Sequence, residues 1–352
     1  MATTIRLLAA SHGDSILVSH SSGASTFNIL IDGGPAKAFG TGSGGRRPGP
    51  LRIALDEIKE KGQCLDLVIL THIDSDHIKG LIKAFEKEGY LRSLAKKVWL
   101  NASSNISDYL GKTEIIENSI PFSISDSPQT SVREGKTFEQ ILTQLDCWRR
   151  EVIIAGDVIA EGPFKFTILS PSHNGLRKLN CVWPDETSSA YTAGETNDYH
   201  QSLSELLVND KFVEDDSFAN GSSIAFILEV ADKKILLLGD AYASTIVETL
   251  QGLGHTKEKK LTVDYVKISH HGSHFNTSME MLGLIDCRSY LISTDGTKNG
   301  HPHKRTLARI LSAHPDNVIY FNYEEAFKGV LLDGEIVSYK SRLRSLTNGI
   351  QI

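Results

Sequence analysis

The chain has four cysteines, and no two of them form a Cys-x-x-Cys pair. That excludes a zinc ribbon and a dithiol redox motif. Cys64, Cys147, Cys181 and Cys287 stand singly, which fits a reducing cytoplasm and small apolar roles. No long apolar run is present, either in the opening MATTIRLLAASHGDSILVSH or later. No secretory signal and no membrane span are therefore expected, and a cytoplasmic location is the default. Excess positive charge is lacking too: the formal net charge is −6. That excludes a basic coat for nucleic acid over the whole surface, though not a local groove. Internal repeats are absent.

A length of 352 residues with 40% hydrophobic content suffices for one large domain or two ordinary ones. Short apolar runs predict strands at Ile5–Ala9, Ser15–Val18, Phe27–Ile31, Leu67–Leu70, Lys97–Leu100, Phe166–Leu169, Ile224–Val230, Lys234–Leu238, Tyr265–Ile268, Ser289–Ser293 and Asn317–Phe321. Helical spacing appears over Ile78–Lys87, Lys136–Leu145, Ala243–Leu250 and Thr306–Ala313. Strands come first and then alternate with helices, which predicts two sheets sandwiched between helices in one domain over 1–352. Gly40–Pro50, GTGSGGRRPGP, reads as a loop. His173–Asn220 reads as a long, polar, mostly structureless insertion with a short helix near Leu203–Leu207, and 326–352 as a C-terminal extension.

What is present in abundance is metal-capable side chains at strand ends. LTHIDSDHIKG places His72, Asp74, Asp76 and His77 between an apolar strand and a helix. In extended chain, residues two apart share a face, so His72 and Asp74 can reach one metal; Asp76 and His77, at the helix start, can reach a second. A helix-capping Asp76 among solvated neighbours is the plain alternative, and four such groups in six positions weigh against it. KKILLLGDAY ends a strand in Gly239-Asp240, where a carboxylate can bridge two cations or be an ordinary turn aspartate. VDYVKISHHGSH runs into His270 and His271. In extended chain these would point to opposite faces and so serve different roles, with Gly272 and Ser273 offering N–H groups and a hydroxyl to an anion and His274 a surface residue. STDGTKNGHPHK brings His301, stiffened by Pro302, as a further ligand, with His303 a polar residue at a helix start.

In their order, NILIDGG, THIDSDHIKG, LLLGDA, SHHGS and GHP resemble the metallo-β-lactamase fold superfamily. SHGDSILV and NGSSIAFILEV are similar to segments of the branch that includes the C-terminal hydrolase domain of the bacterial competence DNA-uptake channel, although His12 replaces a glutamine of that pattern. The resemblance covers about residues 5–325. It implies an α/β fold, a four-layer αβ/βα sandwich of two mixed sheets with a dinuclear metal site at one edge. It implies that Asp32 braces the metal loop, that His72 and Asp74 serve one metal and Asp76 and His77 the other, that Asp240 bridges, and that His301 is the last ligand. His271, or else His270, matches a position that protonates a leaving group, contacts phosphate or ligates.

Two departures from that pattern bear on the metal. Asp74 stands where many members have histidine, and Asn220–Ser223 stands where many have a further histidine ligand, with His173 an out-of-place substitute. An oxygen-richer set favours a harder ion, so two divalent ions are expected, zinc or manganese, with manganese favoured for at least one. Two cations roughly 3.5–4 Å apart activate a hydroxide and stabilise an anionic transition state. The expected function is a metal-dependent phosphodiesterase or nuclease acting on nucleic acid or a nucleotide. Asp240 and the metals would hold the nucleophile and His271 would protonate the leaving oxygen. Arg46 and Arg47 are either a phosphate clamp or part of a solvated loop. The alternatives are hydrolysis of an amide, lactone or thioester on the same fold, and a partner-gated effector subunit of a bacterial defence assembly, whose protein partner the sequence does not name.

Overall fold

The apolar runs assemble into two mixed sheets. The computed structural model describes residues 2–42, 45–111, 128–182, 197–208, 210–346 and 349–352. One sheet has six strands in the order Ile350–Gln351, Ala2–Leu7, Ile16–Ser22, Ser25–Ile31, Leu67–Ile69 and Val98–Trp99. The first four are antiparallel neighbours and the last two join in parallel. The other sheet has eight, in the order Leu343–Ser345, Val318–Phe321, Ser289–Ile292, Tyr265–Lys267, Lys233–Leu237, Ala225–Val230, Phe164–Ser170 and Val158–Glu161. Its first five strands run parallel and its last three pair antiparallel.

Alternation along each strand sends one set of side chains between the sheets and the other set outward. Ile5, Val18, Ile29, Ile31, Leu67, Ile69 and Trp99 of the first sheet meet Phe166, Ile168, Phe226, Leu228, Ile235 and Leu237 of the second in one core cluster. Trp99 packs edge-on against Phe166 at 4.8 Å. On the outer face of the first sheet, Leu30, Val68 and Leu70 pack against the helices Pro50–Glu60, Ser75–Glu86 and Pro128–Thr143. On that of the second, Ile227, Leu236, Val266 and Ile292 pack against Ala243–Gly252 and Lys304–Ala313. The layer order is helix, sheet, sheet, helix. It is the expected α/β sandwich.

Several expectations shift. Gly40–Pro50 is not loop throughout: Gly40–Thr41 pairs with Arg47–Pro48, and Pro50 opens a helix. Proline suits that first helical position, where its missing N–H costs nothing. His173–Asn220 is more ordered than its polarity suggests. His173–Val182, Leu203–Val208 and Phe218–Gly221 are helices, and 183–196 and 209 lie outside the described residues. The C-terminal segment supplies an edge strand to each sheet. Among the described residues, no helix is long and apolar enough to cross a membrane. Cys64, Cys147 and Cys287 are free thiols.

Candidate metal centre

The loop Thr71–Asp74 leaves the end of the strand Leu67–Ile69 and turns into the helix Ser75–Glu86. Asp32 holds it from below. This buried carboxylate accepts from Thr71 N and Thr71 Oγ1 at 2.8 Å each, and from His77 Nδ1 at 2.8 Å. Asp32 itself sits at φ 57°, a left-handed conformation that Asp tolerates better than most residues. Because the Thr71 hydroxyl donates to Asp32, it accepts from His72 Nδ1 at 3.0 Å. Both histidines thus donate from Nδ1 and present Nε2 to the same space.

That space is centred on Asp240. Gly239, at φ 50°, turns the chain so that the Asp240 N–H donates to Ser223 Oγ and the carboxylate is buried. Asp240 Oδ2 lies 3.4 Å from His77 Nε2, 3.7 Å from His72 Nε2, 3.8 Å from His270 Nε2 and 3.9 Å from His271 Nε2. Four imidazoles converge on one carboxylate oxygen. Asp74 Oδ2 is 3.6 Å from His72 Nε2, and Asp76 Oδ2 is 3.3 Å from His271 Nε2. Asp74 occupies the N-cap position of its helix but makes no capping hydrogen bond. A cap of that kind typically contributes about 1 kcal/mol, which Asp74 forgoes while its carboxylate faces His72. Asp76 does not cap either, since it lies inside the helix.

The extended-chain expectation for His270 and His271 fails for a clear reason. Both residues are left-handed, at φ 47° and 53°, in a tight turn that swings two adjacent rings to one side. Each ring has a carboxylate behind it. His270 Nδ1 bonds Asn276 Oδ1 at 3.0 Å and has Asp215 Oδ2 at 3.4 Å. Asp215 is fixed in turn by Asn220 Nδ2 at 2.7 Å and Asn276 Nδ2 at 2.9 Å. His271 Nδ1 donates to Ser293 O at 2.9 Å, with Asp14 Oδ1 at 3.4 Å. The Gly272 and Ser273 N–H groups close the turn onto Ser269 O and His270 O, so neither is left for an anion.

Other expected residues fall further out. His301 is buried, with its ring edge-on to His270 and to His303 at 4.9 Å each. His303 is no plain helix-start residue: it is buried and accepts from His274 N at 3.1 Å. His274 is half-buried against Phe275 and His303. His173 is exposed, its ring 5.9 Å from that of Tyr109. Arg46 and Arg47 are exposed. Asp14, Asp215 and Asn276 join the cluster without being among the residues the sequence singles out. Asp215 carries no signal in the acidic run EDD, whereas Lys267 does, as a lysine inside an apolar strand.

The electrostatics follow from this crowding. Burial alone would lower the His270 ring, but Asp240 and Asp215 outweigh it and lift it to about 9. For His271, Asp14 and Asp240 outweigh burial and lift it to about 10. His77 rises in the same way, against burial, through Asp240 and Asp32. Asp240 and Asp76 are held well below the usual carboxylate range, against burial, by the surrounding histidines. His301 moves the other way: burial first, then the neighbouring histidine charges, keep it neutral.

A divalent cation fits these residues. His72 Nε2, His77 Nε2, His271 Nε2 and Asp240 Oδ1 are buried with no hydrogen-bond partner, an expensive condition for polar atoms. His72, His77 and Asp240 form one set whose ligand atoms lie within 4.8 Å of one another, and Asp76, His77 and His271 form a second. Nitrogen and carboxylate donors in mixed sets suit zinc or manganese.

In structure the chain is similar to YhfI of Bacillus subtilis, a metallo-β-lactamase fold protein, over 100% of this chain and 98% of that one, at 11% identity and a TM-score of 0.40. It is similar to Zn²⁺-bound PqqB of Methylobacterium extorquens over 100% and 99%, at 11% identity and a TM-score of 0.44. It is also similar to a diphosphatase of the PhnP family over 97% and 83%, at 11% identity and a TM-score of 0.38. No protein-family model and no curated protein sequence matches the chain. Its chemistry is therefore read from the site itself.

Proposed function

We propose that the chain is a metal-dependent hydrolase that cleaves phosphodiesters, on nucleic acid or a nucleotide, at the centre built around Asp240. The observation that carries this reading is the convergence of four histidine Nε2 atoms within 3.4–3.9 Å of one buried carboxylate oxygen. Two divalent ions bound there would supply an activated water and counter-charge for a phosphoryl group. His72, Asp74 and Asp240 would hold one ion, and Asp76, His77 and His271 the other. His301, packed on His270, is the further ligand candidate.

The residues divide the remaining work. Asp32 keeps the His72 and His77 rings turned inward. His271, placed beside Asp76 and His77, moves from the expected proton donor to the ligand set. His270 takes the donor role: its Nδ1 is held by Asn276 and backed by Asp215, and its Nε2 faces the centre. A leaving oxygen on that side would take its proton from His270. The carboxylates Asp74 and Asp76 bring the donor set to three aspartates beside three histidines, and that share of oxygen supports phosphoryl chemistry with a hard ion over lactam cleavage with zinc.

The test is turnover of an activated phosphodiester against a chromogenic lactam, each with Mn²⁺ and with Zn²⁺. Phosphodiester cleavage supported by Mn²⁺ is expected. Lactam turnover alone would overturn the reading.

A further inference from the structure

Lys267 and Asp14 form an ion pair with no obvious reason to exist. Lys267 Nζ donates to Asp14 Oδ2 at 2.6 Å and to Ile268 O at 3.0 Å. Both side chains are buried. A buried pair costs desolvation on both partners, and well-packed apolar replacements are often neutral or stabilising. Stability alone does not account for a charged pair here.

The second Asp14 oxygen supplies the reason. Asp14 Oδ1 has no hydrogen-bond partner and lies 3.4 Å from His271 Nδ1, beside the 2.9 Å bond from that nitrogen to Ser293 O. The opposite ring nitrogen faces Asp76 and Asp240. His271 also holds a left-handed backbone conformation, uncommon for a non-glycine residue and in need of external support. The Asp14 loop is locked to this region as well: a Cβ on Gly13 would stand 2.0 Å from the Asp76 carbonyl oxygen.

We propose that Asp14, compensated from behind by Lys267, is the positioning residue that fixes the His271 ring with Nδ1 turned inward and Nε2 turned to Asp76 and His77. This inference rests on reading that cluster as a metal centre. Carboxylates behind ligating histidines typically change metal affinity by about 10- to 100-fold. Asp14 touches neither ion nor substrate in this assignment. It acts through His271.

The experiment is stepwise calorimetric titration of metal-stripped protein with Mn²⁺, beside the melting temperature without metal. The double variant Asp14→Leu/Lys267→Met removes the pair without stranding a charge. It is expected to keep the wild-type melting temperature within a few degrees, and to weaken one binding step about 10- to 100-fold while leaving the other unaltered. His271→Ala should lose that same step, and in its background the double variant should add nothing further. Two unchanged steps in the folded double variant overturn the proposal. Equal weakening of both steps, tracking a fall in melting temperature, marks a merely structural pair and overturns it too. Should the double variant fail to fold, Asp14→Asn, which keeps the shape, is expected to weaken the same single step, and unchanged binding there is decisive against the proposal. Wild-type protein that takes up no Mn²⁺ would instead sink the functional reading, and this inference with it.

Discussion

Asp32 Oδ2 lies 2.8 Å from His77 Nδ1, and through that contact one carboxylate outside the donor set orients a ring inside it. Asp32 serves Thr71 twice as well, so its loss strands three polar groups under the metal loop. Asp32→Ala is expected to destabilise the protein by about 3–5 kcal/mol, and Asp32→Asn, which accepts fewer bonds but tolerates the left-handed backbone, by about 1–3 kcal/mol. Urea titration of both variants measures the difference.

Asp240 is the hub, so Asp240→Ala should lose bound metal and turnover together. Metal analysis of the purified variant beside a phosphodiesterase assay checks this. A variant that keeps full metal content and full rate would show that the centre is assigned to the wrong residue.

His270 and His271 are adjacent, and they should behave differently. His270→Ala is expected to keep its metal while turnover falls about 10²–10⁴-fold, as for loss of a general acid. His271→Ala is expected to lose one metal equivalent. Metal content and rate, measured on the same preparations, separate the two roles.

In the metal-free protein, protons stand in for cations. His270 and His271 are raised to about 9 and 10 in the folded state, above the ordinary histidine value of 6.5. Their contribution to stability is therefore fully present below pH 6.5 and is lost as pH rises through 9 to 10. His274 and His303 are depressed by burial to about 3 and 4, so their contribution is present above 6.5 and lost as pH falls through 4 to 3. Stability of the stripped protein should fall from pH 7 to pH 10, and added Mn²⁺ should restore it. Because the ion displaces protons from histidine, its affinity should rise with pH over the same interval. Thermal melts across pH, with and without Mn²⁺, check both statements.

Glycine packing gives a purely steric prediction. A Cβ on Gly80 would lie 1.9 Å from Gly33 O, where the helix Ser75–Glu86 meets the loop after Asp32. Gly80→Ala must push backbone from backbone, at a cost of about 1–3 kcal/mol or more. A lowered melting temperature with reduced metal uptake is the expected outcome.

Much of this was legible in the residue order. Leu67–Leu70 and Lys234–Leu238 announce buried strands by their apolar runs, and His72, Asp74, Asp76, His77 and Asp240, at strand ends, announce the cluster proposed as the centre. The convergence of His270 and His271 was not legible, because it depends on two consecutive left-handed residues that an extended-chain rule cannot anticipate. Asp215 and Asp14 were not legible as supports, because a carboxylate behind a ring is set by tertiary packing and leaves no local spacing. The edge strands Leu343–Ser345 and Ile350–Gln351 are not legible for another reason: at three and two residues they are too short to show an apolar alternation.

Asp14 and Lys267 are 253 residues apart in the chain, and one ring of the centre hangs on their contact. During synthesis the His72–His77 loop emerges long before Asp240, His270 and His271 exist to meet it. Until the second sheet docks, that loop can offer at most a partial, weak donor set. Ion uptake should accordingly be a late event in folding, paced by the slow closure of distant contacts rather than by diffusion of the ion.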